Sequence, residues 1–249
     1  MVMIIEYRKP WNIDQNRIYD LTDVKCGPSM QKDFTFYIKM KMRRNVLEDN
    51  GHIDIIRQKG IFVRPGLHYG LFGKIEHQGF SWDWWLDGEP YEYESLRSPS
   101  LGELMYDEWM LIITHYYEDK KFVMYGENQK TKDFFRVQKK YAGDLVDYTN
   151  APFHFGFANY TEEIEPEHIG FCTYELLDCG LFTQIHSEEK IKDMVIRNQD
   201  CSRKPNKMLD GAIFVLNPRE KTQWKVWDFS GNSMHLEYNL VLNAKLELI

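Results

Sequence analysis

The side chains of this 249-residue chain that could do chemistry sit in a few short stretches, the densest being Phe80 to Tyr93, FSWDWWLDGEPYEY. Trp82, Trp84, Trp85, Tyr91 and Tyr93 offer flat rings, while Asp83, Asp87 and Glu89 offer acceptors for hydroxyl groups. In an extended chain Phe80, Trp82, Trp84 and Leu86 share one face, and Ser81, Asp83, Trp85 and Asp87 share the other. Rings flanked by carboxylates suit sugars, which present apolar C–H faces and rims of hydroxyls. Asp83, Trp85, Asp87 and Tyr91 are therefore the candidate glycan-binding residues, while Trp82 and Trp84 read first as core.

Catalytic constellations are weaker. Glycoside cleavage with retention needs two carboxylates on one face about 5 Å apart. Glu163, Glu165 and Glu167 alternate, but Pro166 interrupts them, and proline is excluded from a central strand, so a solvated acidic loop is expected there. His115 and Tyr117 have the residue types of a lyase pair, against the plainer reading of a hydrogen-bonded core histidine. No catalytic residue is assigned, and the chain reads as non-catalytic. The eight histidines form no H-x-x-x-H pair. Cys26, Cys172, Cys179 and Cys201 form no C-x-x-C pair, so zinc and redox sites have no support and reduced thiols are expected.

The balance of 31 basic to 38 acidic residues, net −7, argues against a nucleic-acid partner, which needs a concentrated basic surface. No apolar run approaches the ~20 residues of a membrane helix. The opening MVMIIEYRKPW has too short an apolar run for a secretion signal, so a cytoplasmic chain, or one incorporated in a particle, is expected.

These side chains need strands to position them. Aromatics make up 15% of the chain, which favours strands. Trp109 to Gly126 predicts strand, polar turn at Glu118 to Lys121, and strand. Both of its faces are apolar, so it should be covered on both sides. Asp33 to Arg43 predicts a strand with Phe34, Phe36, Ile38, Met40 and Met42 buried and Thr35, Tyr37, Lys39, Lys41 and Arg43 wet. Further strands are expected over residues 2–7, 53–58, 60–64, 68–76, 80–86, 152–159, 212–217, 224–229 and 236–248, with residues 91–107 a loop. Ser187 is a good N-cap, Glu188 and Glu189 suit the positive helix end, and Ile191, Met194 and Val195 make an apolar stripe. One short helix is therefore expected near 187–196. No linker or repeat divides the chain, which reads as a single domain over 1–249.

Several of these stretches together resemble the laminin-G-like and concanavalin A-like jelly rolls. They are the Trp109 hairpin ending in Tyr125-Gly126 and Asn128, the early strand FTFYIKM, the strand PFHFGFAN, and Ile185 to Ile191 opening a helix. The turn WDFSGNSMH is similar to one near the start of such domains, yet here it lies near the end. That is either coincidence or a circular rearrangement. The resemblance implies an all-β, antiparallel β-sandwich and a lectin-like, carbohydrate-binding role in recognition or attachment. It also makes calcium a possible ligand of the loop oxygens of Asp144, Asp147 and Asn150, which otherwise read as an ordinary polar loop. The alternatives are a structural or assembly subunit of a virus or phage particle, with homo-oligomers, or a glycan-cleaving hydrolase or lyase of the same fold.

Overall fold

The computed structural model describes residues 11–13, 18–21, 31–42, 53–59, 68–74, 77–147, 153–155, 174–200, 209–221, 225–230, 232 and 236–239. The strands expected at 2–7 and 60–64, the Glu163 to Glu167 loop, Asn150, Cys26, Cys172 and Cys201 lie outside them.

Sixteen strands appear among these residues: β1 (Trp11–Ile13), β2 (Ile18–Leu21), β3 (Phe34–Met42), β4 (Ile53–Lys59), β5 (His68–Lys74), β6 (Gly79–Asp87), β7 (Glu92–Arg97), β8 (Glu108–Tyr116), β9 (Lys121–Asn128), β10 (Phe134–Lys140), β11 (Asp144–Leu145), β12 (Phe153–Phe155), β13 (Tyr174–Phe182), β14 (Ala212–Lys221), β15 (Lys225–Asp228) and β16 (Leu236–Asn239). The hydrogen-bonded path runs β10-β9-β8-β3-β13-β14-β15-β16-β2-β12-β4-β5-β6-β11, with β1 on β13 and β7 on β6. The principal pairings are antiparallel. The path folds over on itself, so that one core cluster takes side chains from β3, β8, β9, β13 and β14 on one side and from β5, β6 and β7 on the other. The architecture is an antiparallel β-sandwich.

The Trp109 hairpin forms as its pattern requires. Leu111 lies opposite Gly126 and Ile113 opposite Met124, around the turn Tyr117 to Lys120. Trp109, Leu111 and Ile113 enter the main core, and Met110 and Ile112 enter a second cluster on the other face. A Cβ at Gly126 would collide with the Phe135 ring of β10, so close ring-to-backbone packing requires glycine at that position.

The second cluster exists because α1 (Glu188–Asp200) lies across the outer face of this sheet and buries Ile191, Met194 and Val195. The Ser187 hydroxyl accepts from Lys190 N–H at 3.4 Å, as expected of an N-cap. Ion pairs from Lys192 to Glu127 and from Arg136 to Glu188 tie the helix to β9 and β10. No helix among the described residues is long and apolar enough to cross a membrane.

The helix also corrects the reading of β3. Phe34, Phe36, Ile38, Met40 and Met42 fill the main core as expected, but Thr35 and Tyr37 are fully buried rather than wet. Tyr37 packs beneath α1 and donates to Asp178 at 2.8 Å; Thr35 donates to the Gln184 carbonyl at 2.9 Å. Residues 91–107, expected as a loop, contain the edge strand β7 and a 3-10 turn, Gly102–Tyr106. The sequence EYESLR hides its strand because most of it stays exposed, leaving Leu96 as its buried apolar residue.

Within the DFSGN stretch, Asp228, Ser230 and Asn232 tie strands together. Asp228 Oδ1 accepts from Val215 N–H at 2.8 Å and from Ser230 N–H at 2.9 Å, and the Asn232 amide donates to the Ala212 carbonyl at 2.8 Å.

Candidate functional site

Strand β6 carries the aromatic stretch with the expected alternation. Phe80, Trp82, Trp84 and Leu86 are buried in the main core, so for Trp82 and Trp84 the core reading holds. The opposite face grades from buried to open: Ser81 and Asp83 are inaccessible, Trp85 is partly buried and Asp87 is exposed.

Asp83, expected as an acceptor for ligand hydroxyls, has no exposure to offer. Its carboxylate accepts from the Ser81 and Tyr93 hydroxyls and pairs with the Lys74 ammonium at 2.9 Å. A buried charge needs such partners. Tyr93 is thereby fastened to β6 by its hydroxyl while its ring remains 41% exposed, and that ring lies against Trp85 at a centroid distance of 5.3 Å. Burial, with Asp83 adding to it, pushes the Tyr93 phenol well above its ordinary range, so it stays a donor. Tyr91 is half-buried and packs against the main core.

Beyond Trp85, on the same face of β6, Asp87 opens into a cleft at one end of the sandwich. Register makes Asp144 of β11 the direct partner of Asp87. The cleft, about 250 Å³, is lined by Gln31, Asp87, Tyr117, Lys120, Tyr141, Gly143, Asp144, Leu145 and Asp147. One residue expected for sugar, Asp87, thus meets two expected for calcium, Asp144 and Asp147, in one cavity, whereas Asp83, Trp85 and Tyr91 lie outside its lining. Like charges directly opposite across a ladder oppose stability. Here Lys120 offsets them, reaching Asp144 at 3.2 Å and the Gly143 carbonyl at 2.6 Å. Lys120 itself adopts the left-handed conformation (φ 47°) that closes the β8–β9 turn. Among the described residues no group of three or more His, Cys, Asp or Glu is placed to hold a metal ion. A calcium ion on Asp144 would compete with the ammonium already there. Sequence reasoning missed Tyr117 and Lys120 as members of this site, because a polar hairpin turn looks the same whether or not a cleft lies beside it.

Beneath the cleft floor, His115 is fully buried. Its Nδ1 lies 2.9 Å from the Lys32 carbonyl, which can only accept, so Nδ1 carries the proton. Its Nε2 lies 3.0 Å from the Tyr141 hydroxyl, which donates to it. The imidazole stacks on Phe122 at 4.4 Å and meets Tyr117 edge-on at 6.1 Å. It is a satisfied core histidine, not half of a catalytic pair. Burial lowers its pKa to about 4, against the opposing pull of the Lys32 carbonyl.

That shift has a measurable consequence. The unfolded chain takes up a proton on His115 near pH 6.5, whereas the folded chain resists until about pH 4. Stability should therefore be full above pH 6.5 and fall as pH drops from there to about 4, by about 3 kcal/mol in all. Urea unfolding at intervals across that window reads the slope, and His115→Gln should flatten it.

No family model matches the chain, and no curated protein matches its sequence. Solved structures do. The CBM40 module of the Ruminococcus gnavus IT-sialidase is 11% identical, with 73% of this chain and 94% of the module covered and a TM-score of 0.50. The same module bound to alpha2,6 sialyllactose is 10% identical over 73% of this chain and 94% of that one, also with a TM-score of 0.50. At such identities the likeness is one of fold. The chain has a jelly-roll β-sandwich fold.

Proposed function

We propose that residues 1–249 form one concanavalin A-like or laminin-G-like domain that binds glycans without cleaving them. The observation that carries this reading is the end cleft, where a 40% exposed Tyr117 ring lies beside Asp87, Asp144 and Asp147. A ring offers the stacking face for a sugar, and carboxylates accept its hydroxyls. The Trp85–Tyr93 pair extends this surface along β6 towards a second sugar unit. In this arrangement Asp87 and Trp85 touch the ligand, Tyr91 supports the surface from the core side, and Asp83 acts from below by holding Tyr93.

The test is a glycan array probed with the purified chain, in calcium and in chelator, followed by titration of any hit. Tyr117→Ala should weaken binding by about 1–2 kcal/mol, roughly 5- to 30-fold in Kd. The fold should survive, since the ring is largely outside the core. Binding that needs calcium would place the ion at Asp144 and Asp147. Reducing sugar released from a bound polysaccharide would shift the reading to cleavage, with Asp87 and Asp144 as the carboxylate pair. No binding to any glycan would reject this function and favour an assembly subunit of a particle.

A further inference from the structure

Tyr141 lines the end cleft, and its hydroxyl has one proton to give. Where that proton goes is settled by His115. The Lys32 carbonyl can only accept, so the Nδ1–H of His115 is turned to it across 2.9 Å. Nε2 is then a bare acceptor, and the Tyr141 hydroxyl, 3.0 Å away, fills it. Stacking on Phe122 at 4.4 Å holds the imidazole in this orientation. The Tyr141 ring is held in turn against Trp84 and Phe122, at centroid distances of 6.3 and 5.7 Å. Burial keeps the phenol protonated by raising its pKa well above the ordinary range, and Tyr117 and Asp144 push it the same way. Those two residues also line the cleft, so the hydroxyl is within electrostatic reach of the groups that would surround a ligand. With its proton given to His115, what Tyr141 has for a ligand is a lone pair.

Resting on the glycan-binding reading above, we infer that Tyr141 is a specificity-determining residue of the cleft, which accepts a hydrogen bond from a free sugar hydroxyl and donates none. The ligand is then a saccharide whose hydroxyl at this position is unsubstituted. A deoxy carbon there brings no donor. An ether or ester oxygen brings none either, and sets lone pair against lone pair. A site built to pair with a hydroxyl rejects an analogue lacking it more sharply than an apolar pocket rejects a missing methylene. His115 acts through Tyr141 as a positioning residue: its tautomer, fixed by the Lys32 carbonyl, decides which way the phenol's hydrogen bond runs. A tyrosine free to rotate its proton would take either kind of ligand atom.

The probes are the methyl glycosides of glucose, galactose and mannose, with single hydroxyls replaced in turn by hydrogen or fluorine, titrated onto the full chain by calorimetry. Fluorine cannot donate, and neither replacement is larger than the hydroxyl. At one position both replacements should weaken binding by about three- to tenfold, the worth of one hydrogen bond. Tyr141→Phe, which keeps the ring, should weaken the parent glycoside by a similar factor and make the same replacements cost less than about twofold. The ring-nitrogen chemical shifts of His115, assigned by their loss in His115→Gln, should show Nδ1 protonated and Nε2 bare. That measurement needs no ligand and stands even where Tyr141→Phe fails to fold. Protonation at Nε2 would overturn the inference, as would replacements that cost as much in Tyr141→Phe as in the wild type, and either result leaves a glycan-binding module standing. No binding of any parent glycoside would also overturn it, and an empty glycan array would overturn the reading beneath it as well.

Discussion

Trp82→Ala should destabilise the domain by about 3–5 kcal/mol, the cost of emptying a large aromatic site. Its ring lies at the centre of the main core, with no exposure. Phe34, Phe36, Tyr69 and Phe122 surround it at centroid distances of 6.1, 6.3, 5.8 and 6.2 Å. Those four rings come from β3, β5 and β9, so Trp82 joins the two layers of the sandwich rather than packing within one. A domain with a total stability of about 5–15 kcal/mol cannot absorb such a loss unnoticed. Urea unfolding followed by circular dichroism should show a lower midpoint with the slope unchanged. Trp82→Phe should cost much less. It loses some ring volume, but it also removes an indole N–H that is buried without a hydrogen-bond partner among the described residues, whose desolvation the wild type bears. A Trp82→Ala loss below about 1 kcal/mol would mean that the two layers do not meet at this ring.

Much of this core was legible in the sequence, because alternation is a direct consequence of strand geometry. β6 and β8 announced both of their faces, and Ser187 with the Ile191, Met194 and Val195 stripe announced the helix. Where the helix would lie was not legible. A pattern of period two shows that Tyr37 and Thr35 share a face, but not that α1, some 150 residues further on, covers that face. Nor was β7, since an edge strand with one buried apolar residue has almost no alternation to detect. The site was legible in its parts and not in its assembly. Asp87 and Asp144 are 57 positions apart, and only the β6–β11 register makes them neighbours. Asp83 shows the opposite limit. Parity put it on the same face as Asp87, correctly, yet parity says nothing about depth along that face. Ser81, Tyr93 and Lys74 close over Asp83 while Asp87, four residues on, stays open.

Asp83→Ala is the second large effect, and it reaches from stability into binding. The carboxylate is 1% exposed and its Lys74 partner 19%. Removing it takes away the carboxylate that an ammonium and the Ser81 and Tyr93 hydroxyls share. Breaking a buried pair in this way costs about 3–5 kcal/mol, and the lower end applies because Lys74 retains some contact with water. Asp83→Asn should cost less, since an amide oxygen still accepts a hydroxyl. Adding Lys74→Met to Asp83→Ala should recover part of the loss, because the ammonium charge goes with the lysine, and the double-mutant cycle measures the coupling between them. Tyr93 answers a different question. Without Asp83 its hydroxyl is no longer fastened to β6 and its ring is free to leave Trp85, from which it now stands 5.3 Å away. Under conditions where the Asp83→Ala variant is fully folded, any glycan that spans the cleft and the Trp85–Tyr93 surface should bind more weakly, whereas a single sugar confined to the cleft should bind as before. Equal weakening of both would place the effect of Asp83 in the cleft itself and detach the Trp85–Tyr93 surface from the ligand path.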